Sequence, residues 1–214
     1  MAIAISAERG RRTNRRKGAL RLRLPTRVAT AVCLAILSSS ILALGSTPAR
    51  AENVCEREMH KAATKYGIPI GILYAVGLTE TGRKNSLQPY AMNIEGKAAF
   101  FPTAAAALSG FERARRQGAK LIDLGCMQIN HYFHGKEFPS VAKMLLPSAN
   151  VDYAARFLKQ LRAREGNWTL AVARYHAGPN NDPAQKKYVC RVMANMVATG
   201  FGNWTPQARN FCGA

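Results

Sequence analysis

The stretch Pro69-Ile70-Gly71-Ile72-Leu73-Tyr74-Ala75-Val76-Gly77-Leu78-Thr79-Glu80-Thr81-Gly82 decides how the chain is read. It opens on a proline suited to a first helical position, and Ile72, Leu73, Val76 and Leu78 carry it as an apolar helix. Gly82 is expected to end that helix in a left-handed conformation. Glu80 falls in the last turn, seven residues after Leu73 and four after Val76, so it shares a face with residues that must point inward. Desolvation there disfavours the charged carboxylate, and the negative end of the helix dipole acts in the same direction. A carboxyl group kept neutral in this way is prepared to act as a general acid. An ordinary solvated glutamate at a helix end is the competing reading, so other segments must decide.

Working outward, Met59, Ala62, Ala63 and Tyr66 recur at helical spacing and predict a helix over 52–66. After the Glu80 helix, Pro89 to Phe101 has two short apolar arms around Glu95-Gly96, read as a small hairpin. Thr103 to about Gln117 is alanine-rich and helical, with Gly118 beyond it. The run Leu121-Ile122-Asp123-Leu124-Gly125-Cys126-Met127-Gln128-Ile129-Asn130 is too irregular for an amphipathic helix and reads as a loop entering a helix. Further helices are predicted over 140–145, 151–164, 168–176 and 183–199. Asn150, Asn167 and Asp182 are their expected N-caps, and Gly166, Gly178 and Gly200 lie past their ends. The fold class is mainly α, one domain with a small β-hairpin.

The N-terminus bounds the compartment. Arg9 to Arg27 form a basic stretch, Val28 to Pro48 are uncharged, and Ala49-Arg50-Ala51 supplies small residues for a signal peptidase. The expectation is a signal peptide over 1–51, a domain over 52–200 and a C-terminal tail over 201–214. Export to the periplasm or cell envelope follows, with membrane contact only through the leader; an uncleaved anchor is the alternative. The whole chain of 214 residues carries a net charge of +19. The leader takes ten basic residues and one acid, which leaves 21 basic and 11 acidic side chains, a net +10. Such a charge favours polyanionic partners, and outside the cytoplasm these are the free carboxylates of the wall. Nucleic acid is disfavoured because basic residues and aromatics are not interleaved.

Cys33 leaves with the leader, and Cys55, Cys126, Cys190 and Cys212 remain. An even number in an oxidising compartment predicts two disulfides. Three pairings exist. We favour Cys190 with Cys212, stapling the tail, and Cys55 with Cys126. No CxxC and no histidine pair at ligand spacing suggests a metal, and His60, His131 and His134 read as surface residues.

Three segments together carry a resemblance. Glu80-Thr81-Gly82 resembles the Glu-Ser-Gly motif of the soluble lytic transglycosylases and goose-type lysozymes, the lysozyme-like SLT-domain fold. Gly125-Cys126-Met127-Gln128-Ile129-Asn130 resembles their Gly-Leu-Met-Gln-Ile-Asn, and Ala173-Arg174-Tyr175-His176-Ala177-Gly178 resembles their Ala-x-Tyr-Asn-Ala-Gly. The departures are Thr81 for Ser, Cys126 for Leu and His176 for Asn. The Pro89–Gly96 segment is similar to a branch found beside secretion, conjugation and pilus machines.

The resemblance implies that Glu80 is acid and base, that Gln128, Asn130, Met127 and His176 meet substrate, and that Tyr175 donates a hydrogen bond near the acid or the substrate N-acetyl group. The substrate implied is the peptidoglycan glycan strand, acted on by a monomer without metal or organic cofactor. No acid other than Glu80 lies within the matched motifs, with Glu95 read as a turn residue and Asp123 as structural. With one carboxyl the substrate must assist. Glu80 would protonate the oxygen between N-acetylmuramic acid and N-acetylglucosamine, then take the proton of the 6-hydroxyl as a 1,6-anhydro ring closes. A lysozyme-type hydrolase, a non-catalytic wall-binding module and an unspecific polyanion binder are the rival functions.

Overall fold

Residues 53–84 and 86–214 are described by a computed structural model. The expected leader and its cleavage site lie outside them. The helix that carries Glu80, α2 (Ile70–Thr81), is apolar on nearly every side, with Ile72, Leu73, Ala75, Val76, Gly77 and Thr79 buried. A helix apolar all round belongs at the centre of a fold. Accordingly α1 (Val54–Tyr66) packs against it and against α6 (Pro147–Glu165), while α7 (Trp168–His176) lies between α6 and α8 (Asp182–Ala198), and α8 returns onto α2. α3 (Ala104–Arg116) and the single turns α4 (His131–His134) and α5 (Val141–Met144) surround a small sheet, and α9 (Pro206–Cys212) closes the tail. Among the described residues no helix is long and apolar enough to cross a membrane.

The expected hairpin is β1 (Ala91–Ile94) and β2 (Lys97–Phe100), turning at Glu95 and Gly96, both at positive φ. Glu95 fixes the turn's neighbour as well, its carboxylate accepting the backbone N–H groups of Lys120 and Leu121 at 2.7 and 2.9 Å. The segment expected to be a loop contributes two more strands, β3 (Ile122–Leu124) and β4 (Ile129–Asn130), giving an antiparallel sheet in the order β2-β1-β3-β4. Strands of three and two residues are too short to show alternation, so the sequence pattern could not reveal them. The register sets Asn93 opposite Asp123 and Asp123 opposite Asn130, so these three side chains share one face.

Several cap expectations are corrected. Gly82 is not left-handed (φ −59°, ψ 119°); a Cβ there would collide with the carbonyl oxygen of Leu78, so glycine is needed for close approach. Pro69 caps α2 instead of opening it. α8 is capped by Asn181, with Asp182 inside its first turn. α6 starts four residues before the predicted boundary, at Pro147. Asn150 is therefore not a cap: it is fully buried in the first turn, accepts the N–H of Met127 at 2.9 Å and donates to Leu124 O at 2.8 Å and Met144 O at 3.2 Å. Three backbone groups of buried residues share this one amide side chain, and that demand outweighs a cap preference. Asn167 and Gly166 hold the positions expected of them.

The four cysteines form Cys55–Cys126 and Cys190–Cys212, the favoured pairings. The first ties the start of α1 to the loop between β3 and β4. The second ties α9 to α8.

Candidate active site

The last turn of α2 brings Glu80 to a cleft of about 370 Å³, walled by the sheet, α4 and α7. Its carboxyl is held from the α8 side. Tyr188, itself 2 % exposed, donates its hydroxyl to Glu80 Oε1 at 2.5 Å. The His176 ring stacks flat on Tyr188, centroids 4.2 Å apart and planes 3° from parallel. Arg191 Nη2 donates to Thr79 O at 3.0 Å and Asn195 Nδ2 to Thr79 Oγ1 at 2.8 Å, so α8 also supplies donors to the frayed end of α2.

Burial is the main influence on the acid and pushes the Glu80 pKa up from 4.5 to about 7. The Tyr188 hydrogen bond opposes this, the Asp123 charge adds to it, and the Arg191 charge opposes it. Burial also raises Tyr188 and Tyr175 well above the ordinary phenol range, so both are neutral donors at any working pH. A carboxyl poised near neutrality beside a phenol donor can both give and take a proton.

The structure brings some expected residues together and separates others. Gln128, Asn130, Tyr175 and His176 line the cleft with Glu80. Tyr175 donates to Met127 O at 2.8 Å, and the phenol bonded to the Glu80 carboxyl is Tyr188. Met127 is a correction: its side chain is wholly buried in the core, and only its backbone serves the site. Gln128, at φ 45°, lines the cleft and donates Nε2 to Ala91 O and Gly125 O at 3.1 and 3.0 Å. Asn130 is occupied at both ends, donating to Asp123 Oδ1 at 2.6 Å and capping α4 through its oxygen. Thr81, in the place of the family's serine, has its hydroxyl 3.2 Å from both Gly77 O and Cys126 O, so it joins α2 to the motif loop. Gly125 is required there, since at φ 79° a Cβ would lie 2.7 Å from the Asn150 amide.

Residues the sequence reading missed complete the walls. Asp123 is a second carboxyl in the cleft, raised by burial, with the Asn130 hydrogen bond opposing. Asn93 lies beside it, and Phe100 and Phe133 stand at the margins. His134 is not a surface residue: it lines the cleft, bonds the Tyr153 hydroxyl at 2.8 Å and rests against Phe157. His131 packs edge-on against Phe111, and His60 is exposed. Tyr188 carried no sequence signal, because an aromatic three and four residues from Gln185 and Val192 reads as core. Among the described residues no group of three or more His, Cys, Asp or Glu is placed to hold a metal ion.

Comparison with known families adds one match: the transglycosylase SLT domain, over residues 58–195, which runs from α1 into α8 and includes every residue of the site named above. The chain belongs to the SLT family. No curated protein and no solved structure gives a significant match. The SLT domain is a transglycosylase domain, and its substrate is peptidoglycan. In this SLT domain the acid's environment is supplied by α8, which yields a first test. Tyr188→Phe removes the bond that favours the ionised carboxylate, so the pH at which activity halves on the alkaline side should rise above about 7. Loss of orientation should lower kcat about tenfold to a hundredfold. A pH–rate profile with its alkaline limb unmoved or shifted down would show that Tyr188 does not tune the acid.

Proposed function

We propose that the protein is an exported lytic transglycosylase in which Glu80 is the single acid and base. The observation that carries this reading is an enclosed carboxyl group with a pKa near 7, lying in a sugar-sized cleft against a neutral phenol. Protonated Glu80 gives its proton to the glycosidic oxygen between N-acetylmuramic acid and N-acetylglucosamine, and the C1–O bond breaks. The N-acetyl carbonyl of the muramoyl residue stabilises the anomeric carbon. Glu80, now ionised, takes the proton of the 6-hydroxyl as O6 bonds to C1, which closes the 1,6-anhydro ring and returns the acid to its starting state. Tyr188 holds the carboxyl, and Gln128, Tyr175 and His176 shape the wall that the sugar meets.

A second reading has an observation of its own. Asp123 shares the cleft with Glu80, and glycosidases with two carboxyl groups hydrolyse their substrate. Mass spectrometry of fragments released from purified peptidoglycan separates the two. Anhydro ends are expected; reducing muramoyl ends would replace the transglycosylase by a lysozyme-type hydrolase. The basic and uncharged segments before Glu52 support export to the periplasm or envelope, with residues 1–51 as leader. The Pro89–Gly96 resemblance supports service to a secretion, conjugation or pilus machine, which affinity capture from crosslinked cells would test.

A further inference from the structure

Among the described residues the cleft lining contains two acids, Glu80 and Asp123, and no Lys or Arg. Burial lowers the pKa of both its histidines, His134 and His176, and so disfavours their charged forms. Peptidoglycan, in contrast, bears a carboxylate on every second sugar, through the lactyl group on O3 or the peptide attached to it. A strand that bears carboxylates, lying in a cleft with no cation in its lining, is recognised by a cation at the cleft's margin. Strand order puts Phe100, on the edge strand β2, at one margin of the sheet, while Phe133 follows β4 at the other. Phe100 is 42 % exposed and lines the cleft. Over its ring, 4.7 Å from the centroid, sits the guanidinium of Arg83. Among the described residues this is the only lining ring with a cation over it, and Arg83 has no carboxylate partner. The placement is built: Arg83 and Ser86 exchange both backbone hydrogen bonds, at 2.9 and 3.0 Å, three residues beyond the acid.

Resting on the reading of peptidoglycan as substrate, we propose that Arg83 and Phe100 form a subsite for its acid-bearing sugar. The Phe100 ring packs against a pyranose face, and the Arg83 guanidinium pairs with the carboxylate carried on that sugar's O3 side chain. A guanidinium suits this role because its planar fork matches a carboxylate and stays charged at every working pH. This end of the cleft thereby selects wall glycan over neutral N-acetylglucosamine polymers.

The test uses the Glu80→Gln protein, which binds without turnover, and three glycans: a peptide-bearing wall fragment, the same strand stripped of peptide by an amidase, and the N-acetylglucosamine hexamer, which has no carboxyl. Adding Arg83→Gln should weaken the acidic glycans about threefold to fivefold, the upper part of the range for an exposed charge pair, and leave the hexamer within about twofold. Arg83→Lys should keep part of the preference, and Phe100→Ala should weaken all three. A larger loss for the peptide-bearing fragment assigns the stem carboxylates, and a larger loss for the stripped strand assigns the lactyl carboxylate. Equal effects on acidic and neutral glycans, no effect on any, or failure of Glu80→Gln to bind any of them overturns the subsite. Wild-type release from intact wall, measured in parallel, separates the two readings. Release with no Arg83 discrimination sinks the subsite alone, whereas discrimination without release keeps the subsite and sinks the lyase.

Discussion

Glu80→Gln is expected to reduce glycan release about 10²- to 10⁴-fold, the span of general acid–base catalysis, while making the folded domain more stable above neutral pH. Both effects have one cause. Burial raises the folded pKa of Glu80 to about 7, against an ordinary value of 4.5 in the unfolded chain. Between these values the native state binds the extra proton, so stability falls as pH rises through this window. Glu80 is least costly below about pH 4.5, and its destabilisation is complete above about pH 7. A shift of that size corresponds to about 3 kcal/mol. Glutamine keeps an oxygen for the Tyr188 hydroxyl and never ionises, so the variant's advantage in thermal midpoint should be absent near pH 4 and largest near pH 8. Wild-type activity should also fall about tenfold per pH unit above 7, where the acid is lost. If Glu80→Gln and wild type melt together at pH 8, the carboxyl is solvated and cannot serve as described.

Opening the Cys55–Cys126 bridge is expected to be the most damaging covalent change. The bridge closes 71 residues, and chain-entropy reasoning assigns such a loop about 4 kcal/mol, compared with about 3 kcal/mol for Cys190–Cys212, which closes 22. A domain of this size holds only about 5–15 kcal/mol in total. Local consequences should exceed the global ones, because Cys126 sits in the loop that receives Thr81, Asn150 and Tyr175. With Cys55 and Cys126 both changed to Ala, the urea midpoint should drop and activity should fall even where the domain remains folded. Changing Cys190 and Cys212 should lower the midpoint less, since that bridge anchors only the terminal helix. Equal midpoints for the Cys55/Cys126 variant and wild type would remove the bridge from the account.

The longer helices α1, α3, α6, α7 and α8 were legible because apolar residues recur at helical spacing over two turns or more, whereas the single turn α4 and the seven-residue α9 are too short to show that signal. Glu80 was legible in part: its spacing from Val76 and Leu73 places it on the inward face, and the two other motif segments weigh against a solvated glutamate. Asn150 and Gly82 show where local rules stop. Each residue type fits a cap by preference, yet Asn150 is claimed by three backbone groups up to 26 residues away and Gly82 by a carbonyl it must pass closely. The short strands β3 and β4 exist because β1 offers them a ladder, and nothing within Ile122 to Asn130 announces that partner.

Taken alone, the order of residues determined the helical class, the enclosed acid and the three motif segments, because periodicity and spacing are properties of one chain direction. Only tertiary structure decided which phenol reaches the acid. Tyr175 and Tyr188 are both aromatics on helices, and the difference between bonding Met127 O and bonding Glu80 arises from the packing of α8 on α2 and of α7 between α6 and α8. The same packing brings Asp123, His134 and Phe100 into one cleft, across distances in sequence that no periodicity spans.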